Sequence, residues 1–223
     1  MSLFSAEARR PRVTDLAGVL CCQGHVVSFA RSAARLSVVV EEAWRARALA
    51  AALLERGIEP ELGTSDEGHP LVRTAFRRDL TWLADYWTRG AVKAVPPNLP
   101  LDGAILRLWA LAAGRQPDPA DRAGNNHGGA IGGPLGRAPR TYLLGLDPRA
   151  PHTHDALAAA LSRIGLPGTV IGTRGGGPCL RITGRRRLAR LTELIGDPPC
   201  TAAEGHWIAG GALDGSVGGH RRT

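Results

Sequence analysis

The sequence predicts an α+β protein made of two copies of one α-β-β-α-β-β-α unit related by pseudo-twofold symmetry. Three observations carry that expectation. First, Ala48 to Tyr86 is written again as Ala156 to Leu194, without a gap and at one constant offset. Ala48, Leu49, Ala50, Ala51, Ala52 and Leu53 return as Ala156, Leu157, Ala158, Ala159, Ala160 and Leu161, and Gly57 returns as Gly165. Gly68, Pro70, Arg73, Arg77, Arg78, Leu80 and Leu83 return as Gly176, Pro178, Arg181, Arg185, Arg186, Leu188 and Leu191. Alanine can match alanine by composition, but one register for glycine, proline and arginine marks an internal duplication. Second, a short run of small residues precedes each copy. Third, within each copy the hydrophobic period alternates between that of a helix and that of a strand.

Taken in order, DLAGVLCCQG (Asp15 to Gly24) has an Asx cap, an apolar body and a glycine stop, and predicts a short helix. Its Ala17, Gly18, Cys21 and Cys22 are small enough to let another helix approach closely. HVVSFAR and RLSVVV, rich in β-branched residues and separated by a short turn, predict two antiparallel strands. Leu36, Val38 and Val40 take one face, which is apolar, and Arg35, Ser37 and Val39 the other, which is mixed. Glu41 to Arg56 predicts the longest helix, stopped at Gly57. Ile58 to Thr64 and Pro70 to Phe76 predict strands around the turn SDEGH, and Arg77 to Trp87 a helix.

Thr88 to Leu101, with Pro96, Pro97 and Pro100, predicts a connector. LDGAILRLWALAAGR (Leu101 to Arg115) predicts a second small-residue helix capped by Asp102 and stopped at Gly114. Gln116 to Arg140 has loop composition and falls where the next hairpin should begin. TYLLGLD then matches RLSVVV, followed by a helix over Thr153 to Ile164, strands over Gly168 to Thr173 and Pro178 to Thr183, and a helix over Arg185 to Ile195. The organisation is thus a first repeat over 13–88, a connector over 89–100, a second repeat over 101–199 with an insertion at 116–140, and a glycine-rich tail over 200–223. In that tail WIAGGALDGSV is apolar enough to dock.

The 223-residue chain has a formal charge of +8 and a pI near 10.5, which favours an anionic partner, nucleic acid ahead of a membrane. Of its 28 lysines and arginines only Lys93 is lysine. This bias points to GC-rich coding, so part of the arginine is solvated surface. Met1 to Arg12 is not a secretory signal, and no apolar run reaches membrane-spanning length, so a cytoplasmic chain is expected. Cys21, Cys22, Cys179 and Cys200 are expected to be reduced, and Cys21, Cys22 and His25 lack the spacing of a zinc site. Trp44, Trp82, Trp87 and Trp109 lie inside helices and are expected in the core rather than as stacking platforms for single strands.

The paired α-β-β-α-β-β-α arrangement, with LAGVLCCQG at Leu16 to Gly24 and a weaker copy, LRLWALAAG, at Leu106 to Gly114, resembles the LAGLIDADG homing endonuclease family. Within it, the proline-rich connector and the poor acidity of both signatures are closest in style to the N-terminal domain of the WhiA sporulation regulators. The resemblance implies that the two signature helices pack side by side and that the two sheets form a saddle on double-stranded DNA. Cleavage in that family needs a carboxylate at the end of each signature helix, to hold paired divalent ions that activate water. Gln23 and Ala113 stand at those positions here, so a non-catalytic, monomeric DNA-binding protein, possessing no cofactor and acting in transcriptional control, is expected. The alternatives are an active magnesium-dependent endonuclease using displaced acids such as Asp118, Asp121 or Asp214, and an RNA- or protein-binding scaffold. Arg73 and Arg181, equivalent in the repeats, are expected to point the same way from the two sheets. Arg31, Arg35, Arg140 and Arg174 are expected to join them at strand ends and meet phosphate or base edges. Arg185, Arg186, Arg187 and Arg190 read as a solvated helix start.

Overall fold

The computed structural model describes residues 5–6, 8–117, 141–172 and 177–208. A 3-10 turn over Val13–Leu16 runs into α1 (Ala17–Leu20), followed by β1 (His25–Phe29), β2 (Ala33–Val39), α2 (Ala43–Leu54), β3 (Pro60–Thr64) and β4 (Pro70–Thr74). A second 3-10 turn, Arg78–Leu80, leads into α3 (Thr81–Trp87), and a small hairpin follows, β5 (Thr88–Arg89) and β6 (Val92–Lys93). Then come α4 (Gly103–Ala113), β7 (Gly114–Arg115), β8 (Thr141–Gly145), α5 (His154–Arg163), β9 (Thr169–Ile171), β10 (Cys179–Thr183) and α6 (Arg185–Ile195).

Two four-stranded antiparallel sheets result, in the orders β1-β2-β4-β3 and β7-β8-β10-β9. Strand for strand these are the same order, and α2 and α5 occupy the same place in the connectivity. The two helix ends agree atom for atom. Gly57 N–H donates to Leu54 O and Ile58 N–H to Leu53 O, while Gly165 N–H donates to Ser162 O and Leu166 N–H to Leu161 O. Each is the pair of hydrogen bonds that ends a helix on a left-handed residue, and only glycine takes φ of 69° and 81° there without a steric penalty. Ile58 and Leu166, the residues that follow, are fully buried. The constant offset does not extend backwards. Val38 pairs with Val72 and Leu144 with Leu180, so Val38 answers to Leu144 and not to Leu146, where the register of the later elements would put it. The connection into α5 is therefore two residues longer than the one into α2.

The centre of the core is the contact of α1 with α4. Gly18 of α1 meets Ile105 and Leu108 of α4, both buried, and Leu20 of α1 is buried as well. Gly18 is what brings the helices together: a Cβ placed on it would lie 2.1 Å from the carbonyl oxygen of Ile105. At the same end of the pair, Asp102 caps α4 by accepting from Ile105 N–H at 2.9 Å. Asp15, fully buried, closes the turn before α1 by accepting from Arg12 N–H at 2.9 Å. Arg9 bonds both carboxylates and Arg56 adds 2.9 and 3.2 Å bonds to Asp15, so one guanidinium ties the starts of both helices.

Several expectations change. The first signature is α-helical only over Ala17–Leu20, because Cys21 N–H is shared between two carbonyls and Gly24 N–H reaches back to Val19 O. The connector carries the β5–β6 hairpin, turned at Gly90 with φ of 64°. Of the first strand in the second sheet only Gly114–Arg115 is described. The tail docks through Trp207, 2% exposed, whose indole N–H donates to Gly196 O at 2.8 Å. Trp44, Trp87 and Trp109 are buried as expected, and Trp82 is partly so.

Candidate nucleic-acid interface

Strand alternation buries Leu36, Val38 and Val72 against the helices and turns His25, Val27, Arg35, Ser37, Glu61 and Arg73 to the opposite face of the first sheet. Arg73 lies opposite both Ser37 and Glu61. Its Nε donates to Glu61 at 2.7 Å, with both side chains about half exposed. The Arg35 guanidinium sits 4.8 Å over the ring of Phe76, which tilts against Phe29 at 5.6 Å. Arg31 is exposed at the β1–β2 turn. It and Ala30 both adopt left-handed backbone, φ 54° and 48°, a conformation that costs a non-glycine residue about 1 kcal/mol. Four of the expected contacts, Arg31, Arg35, Arg73 and Arg181, lie among the described residues; Arg140 and Arg174 lie outside them.

The second sheet is different. Arg181 faces the same outward side as Leu143 and Thr169, its cross-strand neighbours, and is half-buried. Leu143 and Cys179 on that side are 1% and 2% exposed. Arg73 and Arg181 therefore hold equivalent strand positions but not equivalent surfaces: the first stands on an open face that mixes polar side chains with exposed Val27 and Phe29, the second among covered apolar side chains. On α6, Arg185, Arg186, Arg187 and Arg190 are exposed; Arg190 Nε donates to Ile164 O at 3.0 Å.

The C-terminal ends of α1 and α4 border a cleft of about 270 Å³ lined by Gln23, Glu67, His69, Arg45, Ala113 and Arg115 among others. At each helix end a cation of the chain donates hydrogen bonds to main-chain carbonyls. Arg45, in the first turn of α2, donates to Ala110 O (3.2 Å), Leu111 O (2.9 Å) and Gly114 O (2.7 Å), and its Nε is bonded to Glu42. Lys93, on β6, bonds Cys22 O, Gly24 O (3.0 Å) and Asp147 Oδ2 (2.8 Å). Asp147 is buried, and its Oδ1 accepts from Arg149 N–H at 3.0 Å. Burial alone would raise that carboxyl, but the Lys93 ammonium and the Arg149 N–H outweigh it and hold the group below its usual range. His25 is pushed below its ordinary value by burial and by Lys93. Burial raises the Cys21 and Cys22 thiols, which makes them poor nucleophiles. Tyr142, beside Gly114, is fully buried and its hydroxyl has no hydrogen-bond partner among the described residues.

A pair of divalent ions does not fit this arrangement. Gln23 offers a neutral amide and Ala113 a methyl group, and the carbonyls beside them are already hydrogen-bonded to Lys93 and Arg45. No group of three or more His, Cys, Asp or Glu side chains gathers among the described residues. Asp118, Asp121 and Asp214 lie outside those residues. Sequence reasoning missed Lys93, Arg45 and Asp147, although the presence of one lysine in an arginine-rich chain was a signal.

No family model matches the sequence, nor does any curated protein. Solved structures do match. The homing endonuclease I-WcaI bound to its DNA recognition sequence superposes at a TM-score of 0.52 and 13% identity, over 80% of this chain and 76% of that one. The N-terminal LAGLIDADG domain of DUF199/WhiA does so at 0.50 and 12%, over 85% and 83%. Full-length DUF199/WhiA from Thermatoga maritima matches at 0.52 and 14%, over 83% of this chain but 55% of that one. No helix among the described residues is long and apolar enough to cross a membrane.

Proposed function

Because the chain has a LAGLIDADG-like fold, we propose that it binds double-stranded DNA and does not cut it. The observation that carries the second half of this reading is the pair of signature-helix ends, where Gln23 and Ala113 replace carboxylates and Lys93 and Arg45 cap the carbonyls. The first half is supported by the likeness to a DNA-bound endonuclease, the net charge of +8 and the open outer face of the first sheet. Arg31, Arg35 and Arg73 are the contacts on that face; Arg181, Arg140 and Arg174 are those of the second half. Both sheets belong to one chain, so binding needs no second copy. Occupancy without cleavage suits transcriptional control.

The experiment is fluorescence anisotropy on a duplex of mixed sequence, titrated between 50 and 200 mM salt. Affinity is expected to fall at least tenfold over that range, because each phosphate contact adds about 0.9 to the slope of log K against log salt. No retention at low salt, or an affinity indifferent to salt, overturns DNA binding. In parallel, supercoiled plasmid incubated with Mg²⁺ or Mn²⁺ is expected to stay supercoiled. Linear or nicked product that disappears in Asp118→Asn, Asp121→Asn or Asp214→Asn would establish the endonuclease instead.

A further inference from the structure

Lys93 carries the chain's sole lysine ammonium, and its side chain is only 10% exposed. Three oxygens converge on Nζ from three places: Cys22 O at the end of the α1 turn, Gly24 O just before β1, and Asp147 Oδ2 after β8. An ammonium has three N–H donors set tetrahedrally, one for each oxygen. A guanidinium is a planar fork and cannot aim at three oxygens around a point. This accounts for a lysine at this position in a chain that elsewhere uses arginine.

The same three oxygens, two carbonyls and one carboxylate with no nitrogen or sulfur among them, are the donor set preferred by a hard divalent cation. Cys22 and Gly24 flank Gln23, so the cage sits at the helix end itself. We propose that Lys93 is a built-in cation that fills this oxygen cage, and that removing its ammonium converts the cage into a binding site for one divalent cation such as Mn²⁺ or Mg²⁺. Charge favours a replacement: without Lys93, Asp147 is a buried carboxylate left with His25, whose Nε2 stands 4.0 Å from Oδ2 and carries charge only when protonated. A divalent ion, completed by water in the space the side chain leaves, supplies that charge. The cage is a property of the helix end and exists whether or not the sheets bind DNA.

The test uses the full chain and Mn²⁺ as probe, with the free-ion signal read by electron paramagnetic resonance and melting followed in the same samples. Lys93→Ala is expected to bind one Mn²⁺ per chain at least tenfold more tightly than the unsubstituted protein, and its melting temperature to rise with Mn²⁺. Lys93→Met, which refills the space without charge, and Lys93→Ala combined with Asp147→Asn are expected to bind no better than the unsubstituted protein. If Lys93→Ala is unfolded without metal, recovery of the fold on adding Mn²⁺ but not on adding Na⁺ supports the proposal. Four results overturn it: equal binding by the unsubstituted protein, a folded Lys93→Ala that takes up no Mn²⁺, an unfolded one that 10 mM Mn²⁺ fails to rescue, or uptake that survives Asp147→Asn. DNA retention measured on the same variants is a separate readout, so loss of one reading leaves the other standing.

Discussion

Gly18→Ala tests the contact on which the whole molecule turns. The added methyl carbon would stand 2.1 Å from the carbonyl oxygen of Ile105 and 2.9 Å from Leu108 Cβ. An ordinary contact begins near 3.4 Å, and α1 and α4 must part until the methyl carbon reaches it. The obstacle is backbone, which cannot rotate away as a side chain can. Parting the helices loosens the packing of Ile105 and Leu108 on α1, both of them buried. Overpacking of this kind costs about 1–3 kcal/mol or more, and the gain in helix propensity from glycine to alanine returns at most about 1 kcal/mol. A net loss of about 2 kcal/mol lowers the melting temperature by about 4–8 °C in a chain of this size. Thermal melting by circular dichroism, with Gly63→Ala as control because nothing lies within 4 Å of its added carbon, measures the difference. A Gly18→Ala protein that melts with or above the unsubstituted one refutes the close-packed helix pair.

Glu61→Gln releases Arg73 from its exposed ion pair. If the outer face of the first sheet meets DNA, affinity by anisotropy rises by about threefold at low salt, the worth of roughly one surface charge interaction; Arg73→Ala lowers it. For Asp147, a folded-state value below the unfolded one means that its stabilisation is complete above pH about 4 and is lost as pH falls through the folded value. Melting curves between pH 2 and 5 are therefore expected to be steeper for the unsubstituted protein than for Asp147→Asn, and parallel curves count against the Lys93 pair. Cys21, Cys22 and Cys179 are buried and Cys200 is exposed, so a thiol-specific disulfide reagent at pH 8 should titrate one thiol rapidly in the native chain and four after denaturation.

The repeat was legible because it rests on positions with no alternatives. Gly57 and Gly165 hold the same left-handed cap, and Val72 and Leu180 face the same core. It faded before Ala48 for a countable reason, the two extra residues between β8 and α5. Arg45, Lys93 and Asp147 were invisible for a different one. Their partners are mostly main-chain oxygens brought near by folding, and a carbonyl leaves no trace in residue identity. The difference between the surroundings of Arg73 and Arg181 was hidden in a similar way: alternation told which way each points, but not that Leu143 and Cys179 would be covered beside the second.

Arg9, the bridge between Asp15 and Asp102, gives the amino-terminal segment a role its composition hides. One guanidinium touches the beginning of both central helices, Arg45 reaches from the first half to the end of the second helix, and Asp147 reaches from the second half to the lysine at the end of the first. A chain with two sheets of one strand order has in this way exchanged partners between them. Neither half keeps all of its own charge partners, so a break introduced in the proline-rich connector should yield two fragments that recover their shape only in each other's company.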